Sequence, residues 1–108
     1  MPTLEQELTR LMNQIERKNS ELEHINSVDM PAVFEVDQDI HRRIRQLQHD
    51  MRNSRIPTDQ LRERSAALRQ ITTNLMRTSD ELFARRERLV QELGTLVEDF
   101  ERALRNLH

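Results

Sequence analysis

Six leucines recur at every seventh position in the second half of the chain, and a second apolar column follows them. The first column comprises Leu61, Leu68, Leu75, Leu82, Leu89 and Leu96. The second comprises Met76, Phe83, Val90, Val97 and Leu104. Because seven-residue spacing aligns side chains along one face of an α-helix, the pattern predicts a single long helix over about residues 59–107. Its apolar edge needs a partner.

The first forty residues predict a shorter helix over about residues 3–26. Thr3 and Gln6 fit a capping box, in which each side chain binds a free backbone amide of the first turn. Apolar residues follow at alternating spacings of four and three, starting from Leu4 and ending at Ile25. Lys18 interrupts this seam, and we expect it to extend its ammonium group to the edge or to set the register.

A second helix is predicted over about residues 30–53. Ser27 to Pro31 precede it, and proline is tolerated only in the first turn of a helix, so we expect a break there. Pro57 ends it and Thr58 can cap the third helix. Six apolar residues are expected to face inward: Val33, Val36, Ile40, Ile44, Leu47 and Met51.

These elements predict an all-α single domain spanning residues 1–108, an antiparallel three-helix bundle or coiled coil with a long C-terminal helix. Short connections would fold helices 1 and 2 into a hairpin, along which the first half of helix 3 returns. One alternative stays open within helix 3. Gly94 could end a helix and Thr95 could cap a short fourth one, although the leucine column passes through this point.

The predicted bundle leaves the second half of helix 3, from about Phe83, without a partner in its own chain. That half also has the widest apolar stripe, and exposed stripes of this kind mark interfaces. We therefore expect a protein–protein interaction module that forms a homodimer or a heteromeric helical complex. The expected partner-binding residues are Phe83, Leu89, Val90, Leu93, Leu96, Val97, Phe100, Leu104 and Leu107.

Composition narrows the functional classes. Charged residues make up 33% of the chain, which has one Gly and no Cys, Trp or Tyr. The lack of cysteine excludes disulfides and thiolate metal sites. No apolar stretch approaches the roughly 20 residues that span a membrane, and the N-terminus does not resemble a secretory signal, so we expect a cytoplasmic protein. The acidic first forty residues and the basic remainder favour packing against each other.

Candidate chemistry is sparse. The four histidines show no i, i+4 pair, so we expect no metal site and no cofactor. We also expect no catalytic residues, because no phosphate-binding loop or nucleophile arrangement is evident. Arginines cluster near residues 42–55 and 85–88, but acids interleave and aromatic stacking groups are missing. Nucleic-acid binding is therefore not expected.

The segment His49-Asp50-Met51-Arg52-Asn53 resembles the phospho-acceptor box of sensor histidine kinases. The resemblance implies a histidine phosphotransfer and dimerisation module in which His49 is phosphorylated. Ser54 stands where that family has proline. The alternative interpretation is an ordinary polar helix end.

The pattern from Ile71 to Leu89, with Asp80-Glu81-Leu82-Phe83 ahead of an arginine-rich run, is similar to small FliT-type flagellar type III export chaperones. The resemblance covers about residues 29–97. It implies a chaperone that holds an amphipathic helix of a secreted filament protein, with Leu89, Leu93, Leu96 and Phe100 facing the client. The unbroken leucine column departs from the mobile C-terminal segment of that family.

Overall fold

A computed structural model of the chain describes residues 3–53 and 55–106. Every regular element in these ranges is helical, so the all-α prediction is confirmed. The elements are α1 (Leu4–His24), a π-helical turn (Ile25–Asp29), α2 (Met30–Asn53) and α3 (Thr58–Arg105). No membrane-spanning candidate occurs among these helices, since none combines the needed length and apolarity.

The predicted three-helix bundle is wrong, because the described residues form two long helical segments. The first runs from Leu4 to Asn53 and contains the π turn in place of the expected break. A proline ring clashes with the carbonyl four residues earlier, and a π turn adds a residue that relieves this constraint. Pro31 therefore follows the π turn inside continuous helix. Ser27 does not act as a helix cap. Its hydroxyl instead donates a hydrogen bond to the Glu23 carbonyl oxygen, 2.6 Å away.

The second segment, α3, is 48 residues long and passes through Gly94 without interruption. At its start the Leu61 amide donates to the Pro57 carbonyl, 3.1 Å away, and Asp59 lies in the positively polarised first turn. The capping box of α1 is also present. The Gln6 amide donates to the Thr3 hydroxyl and the Thr3 amide donates to the Gln6 side chain.

Contacts divide the chain into two units. In unit 1, α1 packs against residues 82–105 of α3, and in unit 2, α2 packs against the preceding part of α3. The expected hairpin of helices 1 and 2 is therefore wrong, and so is the overhang of helix 3. Both predictions treated Pro31 as the site of a chain reversal, which the π turn makes unnecessary.

Each unit is an antiparallel helix pair with a narrow seam. In unit 1, Lys18 pairs with Glu92 and Asn26 with Arg86, so residue numbers rise on one helix and fall on the other. In unit 2, Asp50 pairs with Arg64. The buried apolar residues among those described are Leu11, Ile25, Ile40 and Leu89.

The inward set predicted for α2 is half correct. Ile40 is buried and Val33 and Leu47 are partly covered, whereas Val36, Ile44 and Met51 are exposed. A single partner helix covers only one seam of its neighbour, so an apolar stripe wide enough to contact two helices stays partly exposed. For the same reason, part of the apolar surface of α3 also stays exposed.

Candidate functional site: an exposed apolar stripe on α3

The two apolar columns of α3 have different surroundings in unit 1. Leu89 of the leucine column is only 4% exposed, and Leu82 and Leu96 are partly covered. Residues one position further along the sequence are far more open. They form the exposed stripe: Phe83 (50% exposed), Val90 (51%), Val97 (42%) and Leu104 (44%).

Helix geometry explains this separation. Consecutive residues are about 100° apart around an α-helix, so the exposed stripe lies roughly a quarter turn from the leucine column. The leucine column faces α1, and α1 is too narrow to cover both. Leu93 and Phe100 lie between the two columns and are partly covered. The stripe is thus the outer half of the apolar surface of α3.

The structure divides the predicted partner-binding set. Leu89 is used for packing within unit 1, and Leu93, Leu96 and Phe100 are partly covered. Leu107 lies outside the described residues. The remaining members form the exposed stripe, with Met76 continuing the same column of α3 at 63% exposure.

The outer edge of the stripe is acidic, which sequence reasoning did not identify. Positions four residues beyond Phe83, Val90 and Val97 are Glu87, Gly94 and Glu101, and all three are exposed. We call these three residues the outer edge. Residues four apart share a helix face, so this i, i+4 relationship was available in the sequence.

The two outer-edge acids lack ion-pair partners among the described residues, unlike several other acids of unit 1. Glu92 accepts from Lys18 at 2.8 Å, and Asp99 pairs with Arg102 at 3.3 Å. For Glu87, residues three and four positions away are Phe83, Ala84, Val90 and Gln91, so its own helix supplies no cation. Glu101 has Arg105 four residues later on the same helix, but no ion pair joins the two, so the carboxylates of Glu87 and Glu101 both face solvent.

Gly94 forms a gap in the outer edge. It lies inside α3, and nothing lies within 4 Å of where a Cβ atom would be. Its backbone does not adopt a positive φ angle, so the fold of the chain does not require glycine there. The helix backbone is thus accessible midway between Val90 and Val97.

An open groove on the other side of α3 is polar and charged. It has a volume of about 810 Å³ and lies between α1 and α3 of unit 1. The Lys18–Glu92 ion pair crosses it, and Arg17 and Arg88 line its rim. Hydrogen bonding to Glu92 raises the pKa of Lys18, so this lysine is a fixed positive charge. Eight of the nine residues that line the groove are polar or charged, and Leu96 is the exception.

The remaining candidate residues are dispersed. His49 is exposed on α2, with its Nδ1 atom 3.6 Å from the Asp50 carboxylate. Within residues 3–53 and 55–106, no three His, Cys, Asp or Glu side chains are grouped to hold a metal ion. Comparisons with protein-family models, curated proteins and solved structures found no match to this chain.

Proposed function

We propose that this protein is a non-enzymatic helical interaction module that binds a partner helix through the exposed stripe of α3. The observation that carries the proposal is the exposure of Phe83, Val90, Val97 and Leu104 at regular seven-residue spacing. Heptad spacing is typical of helix-to-helix packing, and an isolated helix pair has no internal use for a second column. A contiguous apolar face of this type normally marks an interface.

Magnitudes limit what the stripe can achieve alone. Fully burying an aliphatic or aromatic side chain contributes roughly 1.5–3 kcal/mol, so a half-exposed one has about half of that left to gain. Four such residues gain about 3–6 kcal/mol, whereas association costs at least about 4 kcal/mol in lost freedom. A stable complex therefore also needs contacts along the flanks of the stripe. This requirement favours a partner helix whose length matches that of the stripe.

The test combines light scattering with binding of a synthetic amphipathic helical peptide of about 21 residues, the length of the stripe. The peptide has leucines at heptad spacing, and its binding is followed by fluorescence anisotropy. Val90→Glu should abolish self-association and peptide binding, because it introduces a charge into the interface. Gln91→Glu is the matched control, since it adds the same charge at the neighbouring exposed position. A monomer that binds no peptide, or association that survives Val90→Glu, would contradict the proposal.

A further inference from the structure

The outer edge determines which kind of helix fits the exposed stripe. Glu87 and Glu101 flank the stripe, are exposed and have no ion-pair partner among the described residues. Residues beside an apolar seam contact the flanks of the opposing helix, where charge determines partner choice. A partner with basic flanking residues would complement this edge.

A second copy of this chain fits the edge poorly. If two copies paired antiparallel about the centre of the stripe, Glu87 of each would lie opposite Glu101 of the other. Like charges in that position oppose association. Parallel pairing would direct each acidic edge towards the leucine column of the other copy, which α1 already covers. Both arrangements are worse for a second copy than for a basic helix.

Gly94 points to a helix as the occupant. Its missing side chain leaves the backbone of α3 open midway along the stripe, between Val90 and Val97. Glycine costs about 1 kcal/mol in a helix interior, and no feature of the described residues requires it there. Small residues at a crossing let two helix backbones approach closely.

Resting on the proposed function, we infer that the partner is an amphipathic α-helix of a different protein, with basic residues along the edge that faces Glu87 and Glu101. Its apolar residues pack on the exposed stripe, and its backbone approaches α3 at Gly94. Lysines or arginines beside its apolar face pair with the two glutamates. The outer edge thereby selects among helices that share the same apolar pattern.

Two synthetic peptides test this inference with the full-length protein. Both are about 21 residues long, matching the stripe, and have the same leucine stripe, but one carries lysines and the other glutamates beside it. The wild type should bind the lysine peptide roughly tenfold more tightly at low salt, as expected for a few exposed ion pairs. High salt should reduce the difference, because exposed charges are screened. The double variant Glu87→Lys, Glu101→Lys should prefer the glutamate peptide.

A matched control separates local charge from net charge. Glu16→Lys with Glu63→Lys changes the net charge equally at exposed positions that do not flank the stripe, and the lysine preference should persist. Circular dichroism checks that all variants stay helical. Equal binding of both peptides, or an unchanged preference in the Glu87/Glu101 variant, would overturn the inference and leave the proposed function intact. A wild-type dimer seen by light scattering and abolished by Val90→Glu would also overturn the inference. If neither peptide bound and the protein did not self-associate, the proposed function itself would be contradicted.

Discussion

Lys18 and Glu92 form an ion pair between α1 and α3, with 2.8 Å between the lysine Nζ atom and a glutamate Oε atom. Lys18 stands at a position where the seam of α1 would otherwise be apolar. Its long side chain passes along the seam and brings the ammonium group to the edge, where Glu92 accepts it. The hydrogen bond raises the pKa of Lys18 because it stabilises the charged form. The pair therefore helps to define the register of unit 1.

Reversing one charge of this pair should destabilise unit 1, and reversing both should restore it. Lys18→Glu would bring two carboxylates together and lower the melting temperature measured by circular dichroism. The exchange Lys18→Glu with Glu92→Lys should recover most of that loss, because the opposite charges face each other again. If the double exchange melted no higher than the Lys18→Glu single variant, the ion pair would not be setting the register. Arg85→Glu serves as a control for charge alone, since Arg85 is exposed in unit 1 and does not line the groove that the ion pair crosses.

Truncation should destabilise the protein strongly at Leu89 and hardly at all at Val90, although the two residues are adjacent in sequence. Leu89→Ala removes a buried side chain and should cost about 2–5 kcal/mol of unfolding free energy. Val90→Ala removes a half-exposed side chain and should stay within about 0.5 kcal/mol of wild type, since it leaves no internal cavity. Urea unfolding followed by circular dichroism measures both. Equal destabilisation by the two variants would show that Val90 is a packing residue of unit 1, and the exposed stripe would lose its functional interpretation.

Local features of the fold could be predicted from sequence because their causes are local. The Thr3–Gln6 capping box depends on four consecutive residues, and both of its hydrogen bonds are present. The length of α3 follows from an uninterrupted heptad pattern. In each case the residues that specify the feature are close in sequence, so no knowledge of tertiary contacts is needed.

Helix partnership could not be predicted, because a heptad pattern identifies a face that needs covering without identifying what covers it. Pro31 indicated a break before helix 2, and the chain reversal expected there assigned α1 to the wrong neighbour. The π turn at Ile25–Asp29 absorbs the proline instead. Likewise, Val90 and Leu89 look equally apolar in the sequence, and only the position of α1 distinguishes the exposed residue from the buried one. The acidic outer edge gained meaning only after that distinction.

The Asp50–Arg64 pair in unit 2 should make stability depend on pH in the acidic range. Hydrogen bonds from Arg64 and Gln46, both at 2.9 Å, lower the pKa of Asp50 below its ordinary value of 3.8. A lowered pKa contributes stability that is present above the unfolded-state pKa and is lost as pH falls through the folded-state pKa. Arg64→Gln should therefore lower the melting temperature at neutral pH, and its difference from wild type should shrink as pH falls below about 3.8.

Arg62→Gln is the control for this pH effect, because Arg62 is exposed and has no ion pair among the described residues. It should melt close to wild type across the same pH range. A carbon-detected NMR titration of the Asp50 carboxyl would provide an independent measurement. The explanation would be wrong if the apparent pKa of Asp50 did not rise in Arg64→Gln.

Replacing Gly94 with alanine should stabilise the free protein and weaken partner binding. Alanine is the better helix former, and its Cβ atom would meet nothing within 4 Å. We therefore expect a gain of about 0.5–1 kcal/mol in unfolding free energy and a melting temperature several degrees higher, about 4 °C per kcal/mol or more. Binding of the lysine-edged peptide should weaken instead, because the added methyl group prevents close approach of the partner backbone. Thr95→Ala, at the next exposed position, should leave binding unchanged. If the Gly94→Ala variant were more stable and bound the peptide as tightly as wild type, the glycine would have no role in the interface. Tighter binding would show that the stability of the helix, rather than close approach of the backbones, limits the affinity of the complex.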